Sequence, residues 1–201
     1  MSQRPALGCL FEVVETLVLT LVIFLVIQNF IAQPYKVQQQ SMERTLEPEQ
    51  YVLVDKLTPR FDTYKRGDIV VFTPPAEWGE DGTPFIKRVI GLGGDTVEIR
   101  DDGKVYVNGV ALDEPYLYAD KPGGTPQATT SSVEPARWTV PRGDLFLMGD
   151  HRSNSADSRT FGPVPEDHVI GRAWLRYWPL DTFGVLPTPT YSDLLPATAS
   201  P

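Results

Sequence analysis

Three stretches of this 201-residue chain hold the side chains best placed to carry a nucleophile or move a proton. Gln38-Gln-Gln-Ser41-Met-Glu-Arg-Thr-Leu46 offers a serine hydroxyl. Lys87-Arg-Val-Ile-Gly-Leu-Gly-Gly-Asp95 offers an amine. Gly149-Asp-His-Arg-Ser-Asn-Ser155-Ala-Asp157-Ser-Arg159 adds a second serine, a histidine and opposite charges. Peptide hydrolysis at neutral pH needs an activated nucleophile, and a base beside a serine hydroxyl activates it. A lysine serves as that base in the Ser–Lys variants of the serine triad. In water its pKa is about 10.4 and it is protonated, so it must first be desolvated. Alternation along a strand at 85–90 puts Lys87 on the face of Phe85 and Val89, with Ile86, Arg88 and Ile90 opposite. If the first face looks inward, the amine sits in an apolar wall, where burial lowers an amine pKa by roughly two or three units. The same pattern also fits an edge-strand lysine whose tip reaches solvent, and Ser41 taken alone is an ordinary loop serine. His151 and Asp157 keep a Ser41–His151–Asp157 triad open. A histidine base loses activity as pH falls through about 6.5, a lysine base at higher pH.

Other chemistries lack their residues. There is no Gly-x-Ser-x-Gly elbow, no His-Glu-x-x-His and no phosphate-binding Gly-Lys-Ser/Thr loop. Arg44 rather than lysine stands three residues after Ser41, so a Ser-x-x-Lys arrangement is absent too. The single cysteine, Cys9, excludes an intrachain disulfide and a multi-cysteine metal site. Two histidines, His151 and His168, leave little for a histidine-rich centre, and no cofactor or metal is expected. A net charge of −8 makes the chain a poor binder of polyanions, so nucleic acid is not an expected partner.

The scaffold for these side chains begins with an apolar segment. Between Glu15 and Lys36 run 20 residues without formal charge, about 30 Å as a helix and enough to cross a bilayer's hydrocarbon core. Its centre, Leu17 to Ile27, is apolar on all sides except at Thr20, unlike an amphipathic core helix. Bulky Phe30 stands where a cleavable leader would need a small residue. The expectation is a short segment 1–12, a membrane anchor over 13–34 and a single domain over 35–180. Lys and Arg around the anchor do not set its orientation. Strands are predicted at 51–57, 68–72, 85–90, 96–100, 104–107, 145–148 and 169–178, with Asp101-Asp-Gly103 as a hairpin turn. No amphipathic helical repeat alternates with them. The predicted fold is therefore mainly β: an antiparallel β-sheet core with an inserted β-hairpin and loop subdomain at about 96–141, preceded by one N-terminal transmembrane helix. Residues 119–136 read as a mobile loop, and 181–201, rich in Pro, Thr and Ala, as a weakly ordered tail. Trp174 and Trp178 fit either a core or a lipid surface.

Taken together, in this order and behind one apolar span, these stretches resemble the type I signal peptidases. Members carry Ser-Met-x-Pro-Thr-Leu, Arg-Gly-Asp-Ile-Val-Val-Phe, Lys-Arg-Val-Ile-Gly-x-Pro-Gly-Asp and Gly-Asp-Asn-x-x-x-Ser-x-Asp-Ser-Arg. Here Arg66-Gly-Asp-Ile-Val-Val-Phe72 matches the second throughout, and the resemblance covers about residues 10–178. It implies a serine endopeptidase that removes signal peptides from exported pre-proteins, cutting after small-x-small residues. It also implies a single pass through the plasma membrane, a catalytic domain on the extracytoplasmic side, and the lipid bilayer and the protein translocation machinery as partners. By the same resemblance Ser41 is the nucleophile, Lys87 the general base, and Ser155 hydrogen-bonds the lysine amine. Asp157 and Arg159 hold that loop, the Ser41 N–H and the Gln39 side chain are the oxyanion donors, and Met42 packs beside the substrate. Arg44 and Gly93 stand where the family has proline, which is expected to loosen two turns, and His151 replaces an asparagine. The alternatives are an inactive relative that binds leaders or scaffolds translocation, and a soluble self-cleaving Ser–Lys peptidase, against which the anchor speaks.

Overall fold

The computed structural model describes residues 5–26, 28, 31–57, 61–78, 82–191 and 194. Helix α1 (Pro5–Val26) has 22 residues, or about 33 Å of rise. Its side chains from Gly8 to Val26 are not covered by the rest of the chain. Within it Thr16 Oγ1 and Thr20 Oγ1 donate to the carbonyls of Glu12 and Thr16 at 2.8 and 2.7 Å, so these hydroxyls need no water. The α-helix starts earlier than the expected 13–34. Ala32–Lys36 instead forms β1, which pairs with Tyr51–Asp55. Gln33 and Pro34 suit an edge strand better than a lipid-facing helix, since proline cannot donate to a ladder. The parts of the segments 1–12 and 13–34 at 1–4, 27, 29 and 30 lie outside the described residues.

The strands that follow are β2 (Tyr51–Asp55), β3 (Ile69–Phe72), β4 (Phe85–Gly91), β5 (Thr96–Ile99), β6 (Val105–Val107), β7 (Val110–Ala111), β8 (Arg137–Thr139), β9 (Asp144–Met148), β10 (Val164–Pro165), β11 (Val169–Trp178) and β12 (Gly184–Val185). One sheet runs β1-β2-β11-β3-β4-β9-β10 with β12 on the side of β11, and all its pairs are antiparallel. A second, four-stranded sheet, β7-β6-β5-β8, is inserted between β4 and β9. Its β5–β6 hairpin turns through Gly103 at φ +73°, a left-handed conformation that glycine adopts without cost.

All seven residues of β4 are buried. Phe85 and Val89 pack with Val70, Phe72, Leu145 and Leu147 on one face, while Ile86 packs with Met42, Leu46 and Val52 on the other. Burial of each such side chain stabilises by about 1.5–3 kcal/mol. This central strand is therefore a buried platform paired with β3 and β9.

Two regions differ from the sequence expectation. The 119–136 stretch is irregular but tied down: Thr129 N–H bonds Gly103 O at 2.9 Å, and buried Arg152 donates to Thr129 Oγ1 at 2.6 Å. The segment after Pro179 is also seated. Leu186 is buried beside Ala173, Tyr191 Oη lies 3.0 Å from Tyr116 Oη, and Pro189 crowds Gly67. Proline-rich composition lowers the entropy cost of such an extended strap as readily as it signals disorder. Residues 192, 193 and 195–201 of the expected tail lie outside those described.

Candidate active site

Ser41 sits on a 3₁₀ turn, Gln40–Met42, between β1 and β2. Below the turn Met42 and Leu46 are wholly buried and act as apolar pegs. Lys87 is in the middle of β4, opposite Val70 of β3, and its side chain is 0% exposed. Its Nζ lies 2.8 Å from Ser41 Oγ, and 5.0 Å from the centre of the Phe85 ring. The face of β4 that alternation assigned to Lys87, with Phe85 and Val89, is an inward face.

The loop after β9 closes the site from the other side. Gly149 N–H donates to Asp157 Oδ2 at 3.0 Å, and His151 N–H to the Ser41 carbonyl at 3.0 Å. A Cβ on Gly149 would overlap Ser155 Oγ and come within 2.5 Å of the Ser41 carbonyl oxygen, so only glycine lets these segments meet. Asp157 accepts from Arg159 Nε and Nη2, both at 2.8 Å, and from the Arg159 N–H, which caps the short helix α2 (Ser158–Phe161). Burial works to raise the Asp157 carboxyl, but bonding to Arg159 and its charge prevail and hold it below its ordinary 3.8. Asp157 and Arg159 are thus a buried pair rather than a solvated one.

Ser155 Oγ is buried and, among the described residues, does not bond the lysine amine; it sits beside the Asp157 carboxylate, whose pKa it helps to lower. Gln39 is exposed at the entrance of the turn and its side chain does not cap it. Met42 supports the turn from beneath and does not line the groove described below. The Ser41–His151–Asp157 arrangement is not assembled among the described residues, where the Ser41 hydroxyl meets Lys87. His151 Nδ1 lies 2.6 Å from Glu43 Oε2, while Asp157 is taken by Arg159 and Gly149.

Neither proline replacement loosens its turn. Arg44 has φ +80°, which a proline ring cannot adopt. Its N–H donates to Glu47 Oε1 at 3.1 Å and its Nη1 to the Leu117 carbonyl at 2.5 Å. Gly93 lets the backbone of 141–143 pass within 3.0 Å of where a Cβ would stand.

Sequence reasoning missed the partner of Arg88. Its guanidinium grips Asp150 with two bonds, Nε to Oδ1 at 2.8 Å and Nη2 to Oδ2 at 2.7 Å, and Thr45 Oγ1 donates to Asp150 Oδ2 at 2.5 Å. The fork ties β4, the segment after Ser41 and the loop after β9 together. Asp150 beside His151 was visible in sequence, but nothing local marked it as a buried partner.

A groove runs past Ser41. One part encloses about 180 Å³ between the β1 side and the start of β4, with Tyr35, Val37, Val52, Val71 and Ile86 in its wall. The other reaches Ser41, Asn154 and Ala156, and both parts share Gln38, Gln39 and Phe85.

Residues 10–178 match the family described as "Signal peptidase, peptidase S26". The chain is 36% identical over 198 residues to a protein named signal peptidase I of Leptolyngbya laminosa, covering 94% of this chain and 91% of that one. It is 34% identical to signal peptidase IB of Staphylococcus aureus, covering 87% of this chain and 92% of that one. A solved signal peptidase I from Enterococcus faecalis shares 36% identity over 55% of this chain and 97% of that one, with a TM-score of 0.44.

Proposed function

The chain belongs to the signal peptidase family, peptidase S26, and from that premise we propose a membrane-anchored serine endopeptidase that removes signal peptides from exported pre-proteins. The contact of Lys87 Nζ with Ser41 Oγ at 2.8 Å, fully buried and beside a groove, carries the reading. An amine withdrawn from water is disfavoured in its charged form, which leaves a lone pair for the serine proton. Ser41 Oγ attacks the scissile carbonyl carbon as its proton passes to Lys87 Nζ. The C–N bond then breaks and the lysine returns that proton to the leaving amine. Water, deprotonated by the same amine, next hydrolyses the ester to free the carboxyl product and Ser41. The Ser41 N–H is one oxyanion donor; the Gln39 amide, at the groove's edge, is the second. In this reading the buried Ser155 hydroxyl orients the lysine amine during turnover, and the Asp157–Arg159 pair holds that loop.

The substrate is an extended peptide laid along the groove as an added strand. Depressions walled by Tyr35, Val37 and Ile86 favour small side chains before the bond. Helix α1 is long and apolar enough to cross a bilayer. Trp178, Leu180, Phe183 and Val185 form an exposed apolar surface that suits contact with lipid. The reading puts the domain on the extracytoplasmic side of the plasma membrane, where leaders emerge from the translocation machinery. The test is cleavage of an Ala-x-Ala leader peptide by the full chain in detergent. Ser41→Ala and Lys87→Ala are each expected to lower the rate more than about 10³-fold. Retention of cleavage by either overturns the assignment.

A further inference from the structure

The turn that carries Ser41 is held from outside itself. It spans three residues, and no side chain caps its N-terminus. Lys87, by contrast, is fixed within a ladder, paired with Val70 of β3 and followed by Arg88, which also pairs with Met148 of β9. The 2.8 Å contact between them therefore depends on what fixes the turn.

One residue from the opposite loop grips it twice. The His151 N–H bonds the Ser41 carbonyl at 3.0 Å. The His151 ring Nδ1 lies 2.6 Å from Glu43 Oε2, two residues beyond Ser41. The ring itself is clamped, stacked on Tyr118 with centroids 3.9 Å apart and planes at 18°. Tyr118 is in turn set by its N–H bond to the Asp150 carbonyl at 3.1 Å. Both partners are mostly covered, with side chains 12% and 15% exposed, so the contact is shielded from competing water. Neither side chain is needed for a proton-transfer step, which Lys87 performs.

We propose that Glu43 and His151 are a positioning pair that holds the Ser41 turn in register with Lys87. The inference rests on the reading of Ser41 as nucleophile and Lys87 as base. The pair acts on the distance between Oγ and Nζ, and a displacement near 1 Å at such a contact costs on the order of 10²-fold in rate. Remaining anchors, Met42 and Leu46 beneath and the Asn154 Nδ2 bond to Gln40 Oε1 at 3.0 Å, limit the slip and make the expected loss smaller. An asparagine at 151, the residue found at this place in the family motif, puts its amide nitrogen about where Nδ1 stands and keeps a donor for Glu43.

The test uses the full chain in detergent with an Ala-x-Ala leader peptide, at a temperature where circular dichroism shows each variant folded. Glu43→Ala and His151→Ala are each expected to lower kcat about tenfold and leave KM within about twofold. The double variant loses about the same tenfold, because the two act as one unit. His151→Asn keeps kcat within about threefold of wild type. Glu43→Gln, of the same shape, replaces Glu43→Ala if the latter does not fold, with an expected loss of about threefold. Unchanged kcat in the single variants overturns the proposal. So do losses that multiply in the double variant, or a His151→Asn no better than His151→Ala. A Ser41→Ala chain that still cleaves would instead overturn the reading of the site and leave the pair without a reaction to serve.

Discussion

On one face of β4, Arg88 meets the Asp150 carboxylate through a two-pronged ion pair and lies 4.0 Å from the Tyr116 ring. On the other face its neighbour Lys87 meets the hydroxyl of Ser41 and lies near the Phe85 ring. Both side chains are 0% exposed. Burial works against the charge of Arg88, but Asp150 more than compensates and raises its pKa above the ordinary value. Asp150 thus keeps its partner ionised, whereas a hydroxyl makes no such demand on an amine. Two adjacent basic side chains in one strand can therefore serve opposite ends: one locks segments together, and the other is suited to move a proton. The two side chains are equally buried, and Arg88 is set apart by the carboxylate that it grips.

Swapping each basic side chain for an apolar residue breaks that comparison most directly. Lys87→Met is expected to lower leader cleavage more than about 10³-fold while leaving stability equal or higher, since methionine fills the space without a polar amine to desolvate. Arg88→Met is expected to lower stability by about 3–5 kcal/mol, because it strands Asp150 in the interior. Urea unfolding followed by circular dichroism measures both, and adding Asp150→Leu to Arg88→Met should restore most of the loss. If Lys87→Met proves the more destabilising, the division between the two faces is wrong.

Gly149→Ala probes the seam between the Ser41 turn and the loop after β9. Its Cβ collides with Ser155 and with the Ser41 carbonyl. Cleavage is expected to fall about 10²-fold, with about 1–3 kcal/mol of destabilisation, the usual range for overpacking. Ser155→Ala sharpens the contrast on a smaller scale. The hydroxyl is buried and does not bond the amine among the described residues, and its contact with Asp157 is secondary to that of Arg159, so stability should change by less than about 1 kcal/mol. A cleavage rate about tenfold lower would show that it engages the amine during turnover, and an unchanged rate would remove it from the site.

The smallest effect concerns pH. Asp157 is held below its ordinary 3.8, so the stability that it adds is complete above that value and is lost as pH falls through the lowered one. Thermal midpoints taken between about pH 5 and pH 2 should fall more steeply for the wild type than for Asp157→Ala. Equal slopes would mean that Arg159 does not hold that carboxyl.

Much of the scaffold is legible without coordinates. Alternating β formers marked β2, β3, β4, β5, β6, β9 and β11, and Asp101-Asp-Gly103 marked the hairpin between β5 and β6. Short or Pro-bearing strands escaped: β1 was absorbed into the apolar segment, and β10 and β12 are two residues each. Their pairing is set by the neighbouring strand rather than by their own pattern.

Sequence alone determined which face of β4 bears Lys87, because side-chain direction alternates with the backbone whatever the rest of the chain does. It also determined the apolar run of α1 and the order of the motifs. Tertiary structure alone decided what each face meets. Ser41 and Lys87 are 46 residues apart, and Glu43 and His151 are 108 apart. Such contacts follow from strand register and loop closure, which burial of the whole core fixes and no local stretch encodes. For the same reason Arg44 turned out left-handed and bound to Leu117, Gly149 proved to be the point where two segments touch, and Pro189 lay against Gly67.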